Sequence, residues 1–558
     1  MRRAALATAI GAGLALCWWG AGLHAGLDLH ALSGFARGLF PPDLSPAFLR
    51  VVAVAMVRTL GIAVAGTVLA VGLGLPLGLL ATPALWRRGP LCAGERPGPS
   101  AALSWAFAAL ARFLRAVPDL VWALFFVVGF GLGPLPGTLA VGINTAGVLG
   151  RVYADLFEAV PPGPVLSLHA SGASRLQAFA AAIWPQAAPS VLAYTLYAFE
   201  CNVRAAAVLG FVGAGGIGQE INLSMRLFEY GQVTTLLFAF VALVLATDAV
   251  SRRARGRLRR NAVHGSGVMR TPVPVETRQG RTALPARLTA VLAVVLLAVA
   301  FQQAGFLNLA VPAHLGRFAA QLFPPDLSPA FLLALIEPLW QTIAVSILGT
   351  AIGIALGALL ALPATATLMR DERDPDTAAA RALRTAAYLA ARFVLALLRS
   401  IPELVWVLLC IVAFGLGPFA GAAALGLHTA GVLGKLYAET LEEVPEAPGE
   451  ELRAIGARPL QRLVWAFWPQ ARETLLSYTL LRWETNLRLS TVIGLVGGGG
   501  LGLALYNDVQ LGWYPQAATL VLVIYLLVVA TDSLAGRLRS PPAAGAAPAS
   551  ALDLVTAG

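Results

Sequence analysis

The chain has 558 residues, of which 58% are hydrophobic and 12% charged, and its formal net charge is +11. That balance excludes an ordinary soluble domain and places the chain among polytopic membrane proteins. The basic excess does not point to nucleic acid, because the arginines and lysines sit mainly in loops and at the ends of apolar runs, as the positive-inside rule describes.

Several runs reach the roughly 20 apolar residues that cross a bilayer as a helix. The ten-residue alternation of a membrane β-barrel is missing, so the fold class is all-α. In chain order, six spans fall near 4–24, 51–84, 104–130, 136–152, 185–211 and 232–250. The first has a basic start and an apolar core, like a signal peptide. Its equivalent at 288–304 is internal, so both read as retained spans, the first as a signal anchor. The run at 51–84 is long for one upright crossing and implies tilt, a kink at Pro76, or extension past the bilayer. Basic loops (Arg2 and Arg3; Arg87, Arg88 and Arg96; Arg151 and Arg175; Arg252 to Arg260) alternate with nearly neutral ones at 25–50, 131–135 and 212–231. The basic set belongs in the cytoplasm, which puts both ends of the six-span unit inside.

The chain repeats itself. LFPPDLSPAF at 39–48 recurs letter for letter at 322–331. RAVPDLVWALFFVVGFGLGP at 115–134 returns as RSIPELVWVLLCIVAFGLGP at 399–418, and NTAGVLGRVYA at 144–154 as HTAGVLGKLYA at 428–438. The second copy then has spans near 288–303, 333–362, 387–415, 421–437, 470–496 and 516–534 in the same orientation. This is a parallel repeat. The expected organisation is a first unit at 1–250, a basic cytoplasmic linker at 251–287, a second unit at 288–540 and a disordered Ala/Pro-rich tail at 541–558.

No catalytic constellation is present: HExxH and GxSxG are missing, and the glycine runs lack the Lys-Ser/Thr of a phosphate loop. Cys17, Cys92, Cys201 and Cys410 form no CxxC, and six scattered histidines give no metal-ligand spacing.

Two stretches stand out in each copy. One is a long polar loop before the fifth span, PVLSLHASGASRLQAFAAAIWPQA at 164–187 and GEELRAIGARPLQRLVWAFWPQA at 449–471. Gly172-Ala173 and Gly456-Ala457 permit a tight bend between short helices, and Pro185 and Pro469 follow thirteen residues after the glycines, near the first turn of the next span. The plain alternative is an amphipathic loop lying on the membrane. The other stretch is ECNVRAAAVLGFVGAGGIG, from 200, repeated as ETNLRLSTVIGLVGGGGLG, from 484. Glu200 and Arg204, like Glu484 and Arg488, are four apart and share a helix face. They read either as self-neutralising pairs or as a positive field for an anionic substrate, with the carboxylates orienting the guanidinium forks. Asn202 and Asn486 are possible further donors along the substrate pathway. The clusters holding Gly213, Gly215 and Gly216, and Gly497, Gly499 and Gly500, read as close packing or as a gate. Asn144, Thr145, His428 and Thr429 are polar inside the fourth spans, where core hydrogen bonding and pore lining are equally open. Arg58 breaks the symmetry against Gln341.

The loop at 449–471 resembles the "EAA" loop of ABC-importer permeases: Glu450, Gly456 and Pro469 match, while Trp468 and Trp184 stand where that pattern has Leu. With RSIPELVW, FGLGP and LHTAGVLGKLYAE, most of both copies resembles the phosphonate permease family. The resemblance implies about 12 transmembrane helices as two parallel six-helix permease units, fused in place of a homodimer. It further implies a transport subunit in the inner membrane of a bacterium, importing phosphonate or a related phosphorus oxyanion. Two ABC ATP-binding subunits carrying ATP and Mg, and an extracytoplasmic substrate-binding protein, would be its partners, with no cofactor or metal on this chain. Gly172, Ala173, Pro185, Glu450, Glu451, Gly456, Ala457 and Pro469 would form the ATPase-coupling loops. The first copy departs, with Leu166, Ser167 and His169 opposite Glu450, Glu451 and Arg453, so unequal coupling is expected. A secondary transporter built from two parallel six-span halves is the rival reading.

Overall fold

The computed structural model describes residues 40–82, 99–265, 297–305, 320–370, 377–445, 447–457 and 459–538, with a few single positions between 13 and 38 and residue 316. Most of the first span at 4–24, the basic groups Arg87, Arg88 and Arg96, the linker beyond 265, most of 288–303 and the tail at 541–558 lie outside the described residues.

All described secondary structure is helical. The first copy contains α1 (Pro46–Ala81), α2 (Pro99–Ala116), α3 (Asp119–Phe130), α4 (Pro134–Glu158), α5 (Pro162–Ala170), α6 (Trp184–Leu209), α7 (Ile217–Arg226) and α8 (Tyr230–Gly265). The second repeats the series as α9 (Ile336–Ala364), α10 (Ala378–Ser400), α11 (Glu403–Phe414), α12 (Pro418–Glu443), α13 (Ala447–Ala454), α14 (Trp468–Ile493), α15 (Gly500–Gln510) and α16 (Tyr514–Leu538). Among the described residues, six helices are long and apolar enough to cross a membrane, and three further pairs qualify as spans bent at a short break. The same series of helices is therefore present twice among the described residues.

The spatial units do not share the boundaries of the repeat. One compact unit comprises Gly38–Ala319, and the other Met1–Arg37 with Ala320–Gly558. Within the first, Gly61 of α1 lies against Ala300, whose backbone oxygen is 3.3 Å from where a Cβ would stand. Within the second, Trp18 meets Phe419 at 6.4 Å between ring centroids. Helices in lipid choose neighbours by close fit rather than by hydrophobic drive, so a flat glycine surface selects its partner whatever the chain order.

Helix α1 runs on through Pro76. At about 1.5 Å per residue its 36 residues exceed a bilayer core of roughly 30 Å. It packs along α4 through small residues: a Cβ on Gly78 would stand 2.9 Å from Gly150 O, and in the second copy one on Gly357 would stand 3.1 Å from Gly434 N. Such contacts bring the backbones of the long helices together.

The expected single span at 104–130 is instead broken. Helices α2 and α3 meet at 86°, and α10 and α11 at 96°. Proline explains the position, since Pro118 and Pro402 push the residue before them out of the helical region. The break strands carbonyls that lipid could not satisfy. Side chains supply the donors: Trp122 Nε1 to Leu114 O at 3.4 Å and Asn144 Nδ2 to Val117 O at 2.8 Å. In the second copy Trp406 Nε1 reaches Leu398 O at 3.1 Å, and His428 Nδ1 lies 3.1 Å from Ile401 O. Asn144 and His428 thus both serve helix breaks.

The letter-for-letter motif LFPPDLSPAF forms a corner on the last span of each unit. Asp43 N donates to Gly231 O at 3.1 Å and Thr235 Oγ1 to Asp43 O at 2.8 Å. The copy places Asp326 N on Pro515 O at 3.1 Å and Thr519 Oγ1 on Asp326 O at 2.7 Å.

Candidate functional site

The polar loops fold as a helix, a tight stop and a re-entry. Helix α13 ends in a complete left-handed cap: Gly456 N donates to Arg453 O at 2.8 Å and Ala457 N to Leu452 O at 3.0 Å. In the first copy Ala173 N donates to Leu168 O at 3.1 Å. The capping glycines have φ of +83° at Gly172 and +87° at Gly456, values that strain any residue with a Cβ. Ser174 then opens the next turn with a capping box, its amide 2.9 Å from Gln177 Oε1.

Pro185 and Pro469 stand in the first turns of the fifth spans, α6 and α14. Immediately before them the helix widens to a π turn, at Phe179–Ile183 and at Leu463–Phe467. A proline lacks its N–H and its ring displaces the carbonyl four residues back, so one extra residue per turn accommodates it. The helix therefore runs without a break from the loop, through the π turn, into the span. Glu450 and Glu451 are exposed on α13, and Leu166 and Ser167 occupy the matching exposed positions on α5. The loop's anchoring side is buried through Val165 in one copy, while in the other Gly449 makes room for the Phe467 ring.

Within the spans, the structure separates residues that the sequence grouped. Asn202 is buried and spans three helices: its Nδ2 donates to Thr67 Oγ1 of α1 at 2.9 Å, and its Oδ1 accepts from Thr145 Oγ1 of α4 at 2.7 Å. Asn486 does the same with Thr350 of α9 at 2.9 Å and Thr429 of α12 at 3.1 Å. These asparagines, expected along the substrate pathway, are engaged in clamps that fix helix positions. Thr67 and Thr350 were not singled out from sequence. Their signal was there: a threonine at the same place in both copies of an apolar helix.

In the second copy the i, i+4 ion pair is long, with Arg488 Nη2 3.9 Å from Glu484 Oε1. Asp532 of α16 is closer to that guanidinium, at 3.5 Å. In the first copy Glu200 Oε1 meets Arg255 Nη1 of α8 at 2.7 Å, a partner on another helix rather than one turn away. The charges therefore tie the fifth span of each copy to its last, and Arg488 stands between two carboxylates.

All six singled-out glycines have positive φ: +90°, +81° and +78° at Gly213, Gly215 and Gly216, and +105°, +76° and +72° at Gly497, Gly499 and Gly500. They turn the chain from α6 into α7 and from α14 into α15. Ile217 N then donates to Thr59 Oγ1 at 2.8 Å, and Leu501 N to Thr342 Oγ1 at 2.9 Å. The second copy adds Gly500 N to Gln341 Oε1 at 3.0 Å, at the position where the first has Arg58.

Among the described residues, no group of three His, Cys, Asp or Glu is arranged to hold a metal ion. The side chain of His169 lies outside the described residues.

The family described as "Binding-protein-dependent transport system inner membrane component" matches residues 91–261 and again 377–540. A "Phosphate-import permease protein PhnE" of Mycolicibacterium smegmatis is 31% identical over 517 residues, covering 90% of this chain and 87% of that protein. A "Phosphite transport system permease protein PtxC" of Stutzerimonas stutzeri is 37% identical over 225 residues, covering 40% of this chain and 76% of that one. Among solved structures, an inward-facing MetNI methionine ABC transporter aligns over 38% of this chain and 97% of its own, with 22% identity and a TM-score of 0.33.

Proposed function

The chain belongs to the family of binding-protein-dependent transport system inner membrane components, and from that premise we propose that it is the complete permease of an ATP-driven importer of phosphonate, phosphite or phosphate. The observation that carries the reading is the coupling loop, built twice with the same left-handed cap and π turn inside the two family matches. A loop whose helix continues into a span passes a push from a cytoplasmic ATPase into the membrane. The relatives named for phosphate and phosphite import support the substrate class.

In this reading one chain replaces a permease pair. Two ATP-binding subunits hold ATP and Mg and dock on α5 and α13, and an extracytoplasmic binding protein delivers the anion. The chain itself performs no hydrolysis. It lies in the inner membrane with both termini in the cytoplasm, a placement supported by the positive-inside pattern of the basic loops. ATP binding moves the coupling loops and exposes the pathway outward, and hydrolysis resets it.

The test is uptake into proteoliposomes holding this chain, its ATPases and its binding protein. Import of a labelled phosphonate, phosphite or phosphate that needs both ATP and the binding protein supports the reading. Uptake driven by an ion gradient alone supports the secondary-transporter alternative.

A further inference from the structure

The two copies differ at the broken span in one respect that changes chemistry. In the first copy, Asn144 Nδ2 serves the stranded Val117 carbonyl, and an amide does not titrate. In the second, His428 takes over the bond to the equivalent Ile401 carbonyl through Nδ1, 3.1 Å away. A carbonyl only accepts, so Nδ1 carries the hydrogen. The other nitrogen, Nε2, lies 3.1 Å from Glu403 Oε1 at the start of α11. Without a further proton, a ring lone pair and a carboxylate lone pair would face each other there. One proton between them turns this contact into a charge-assisted hydrogen bond.

The surroundings fit a site that gains and loses this proton. His428 is buried at 7% exposure. From α14, Arg482 places Nη2 3.9 Å from the same Glu403 oxygen and donates through Nε to Thr429 Oγ1 at 3.4 Å. That guanidinium compensates the carboxylate when the proton leaves. Helix α10 contributes Arg399 just before the break, and α12 itself Lys435 two turns on. The sole ionisable residue of α9 is Glu337 in its first turn, which accepts from Gln341 at 3.2 Å. The first copy has Asp119 and Ala198 where the second has Glu403 and Arg482, and Asp119 turns its carboxylate onto the Leu120 amide at 2.9 Å.

We propose that the Glu403–His428 pair is a proton-binding site that ties α11 to α12 at the break, so that the second copy's broken span responds to pH and the first copy's does not. The bound proton holds α11 against α12. Its loss removes that tie while the carbonyl bond to Ile401 persists. The range to examine is about pH 5 to 8, where an unperturbed imidazole changes charge.

The first copy is a control within the same molecule. Hydrogen exchange of the full chain in nanodiscs, followed by mass spectrometry, compares the protection of α11 with that of α3 across this range. Taking the ratio cancels the chemical pH dependence of exchange. The expected result is a ratio that falls as pH rises. His428→Asn, which recreates the first copy's own bond, removes the fall. Glu403→Gln, whose amide donates to the neutral ring without a bound proton, also removes it. A ratio constant in the unsubstituted chain, or a fall that persists in both variants, overturns the proposal.

Discussion

Asn202 donates to Thr67 across 2.9 Å inside the first unit, holding α6 against α1. The same residue also accepts from Thr145 at 2.7 Å, so one side chain joins three helices. Replacing it with Ala takes the acceptor from the buried Thr145 hydroxyl, while Thr67 keeps its bond to Ala63 O at 2.7 Å, and the cost is about 1–3 kcal/mol. Asn486→Ala should do the same in the second unit. The thermal midpoint of either variant in detergent is expected to fall, and the affinity of the binding protein for its ligand to stay unchanged.

The capping glycines give a prediction in two parts. Gly172→Ala and Gly456→Ala each force a Cβ into the left-handed region, at about 1–2 kcal/mol, with open space around both positions. The backbone penalty is therefore equal in the two loops. The exposed side chains are not equal, because Glu450 stands opposite Leu166. Glu450→Ala is expected to reduce substrate-stimulated ATP hydrolysis more than Leu166→Ala. Equal losses would show that the loops couple alike.

Glu200 and Glu484 should also separate. Glu200 is 6% exposed with Arg255 at 2.7 Å, whereas Glu484 meets Arg488 only at 3.9 Å and shares it with Asp532. Removing one partner of a buried pair costs up to about 3–5 kcal/mol. Glu200→Gln is accordingly expected to lower the yield of folded protein and its thermal midpoint further than Glu484→Gln. The reverse order would mean that the contact with Arg255 does not hold α6 to α8.

The corner carboxylates respond to acid alone. The Ser45 amide, and then its hydroxyl, hold the Asp43 carboxyl below the usual range, and Ser328 does this for Asp326. A carboxyl lowered in the folded state contributes stability above its ordinary unfolded value of about 3.9, and that contribution is lost as pH falls through the lowered folded value. Asp43→Asn and Asp326→Asn should therefore leave the dependence of the thermal midpoint on pH unchanged above about pH 5. A changed slope between neutral pH and that point would assign these corners a different role.

The architecture was legible because the chain is its own comparison: two copies of LFPPDLSPAF or FGLGP mark equivalent places without any second protein. The glycines of the two polar loops, Gly172 and Gly456, were legible for a local reason, since a tight helix stop needs φ above zero whatever surrounds it. The broken span was missed although its signal is local too. Pro118 and Pro402 sit before an acidic residue and an apolar run, and hydropathy averages across them. What sequence could not show were partners far apart in the chain. Glu200 has an arginine four residues on, and periodicity favours that pair, yet the contact at 2.7 Å is with Arg255. Asn202 carried no mark in the sequence of its bonds to Thr67 and Thr145, which lie 135 and 57 residues away.

If one chain supplies both halves of the permease, the working importer holds a single copy of it. Native mass spectrometry of the importer purified with its ATP-binding subunits measures this directly. One copy of this chain with two ATP-binding subunits is the predicted composition. Two copies of this chain in the transport-competent complex would contradict it.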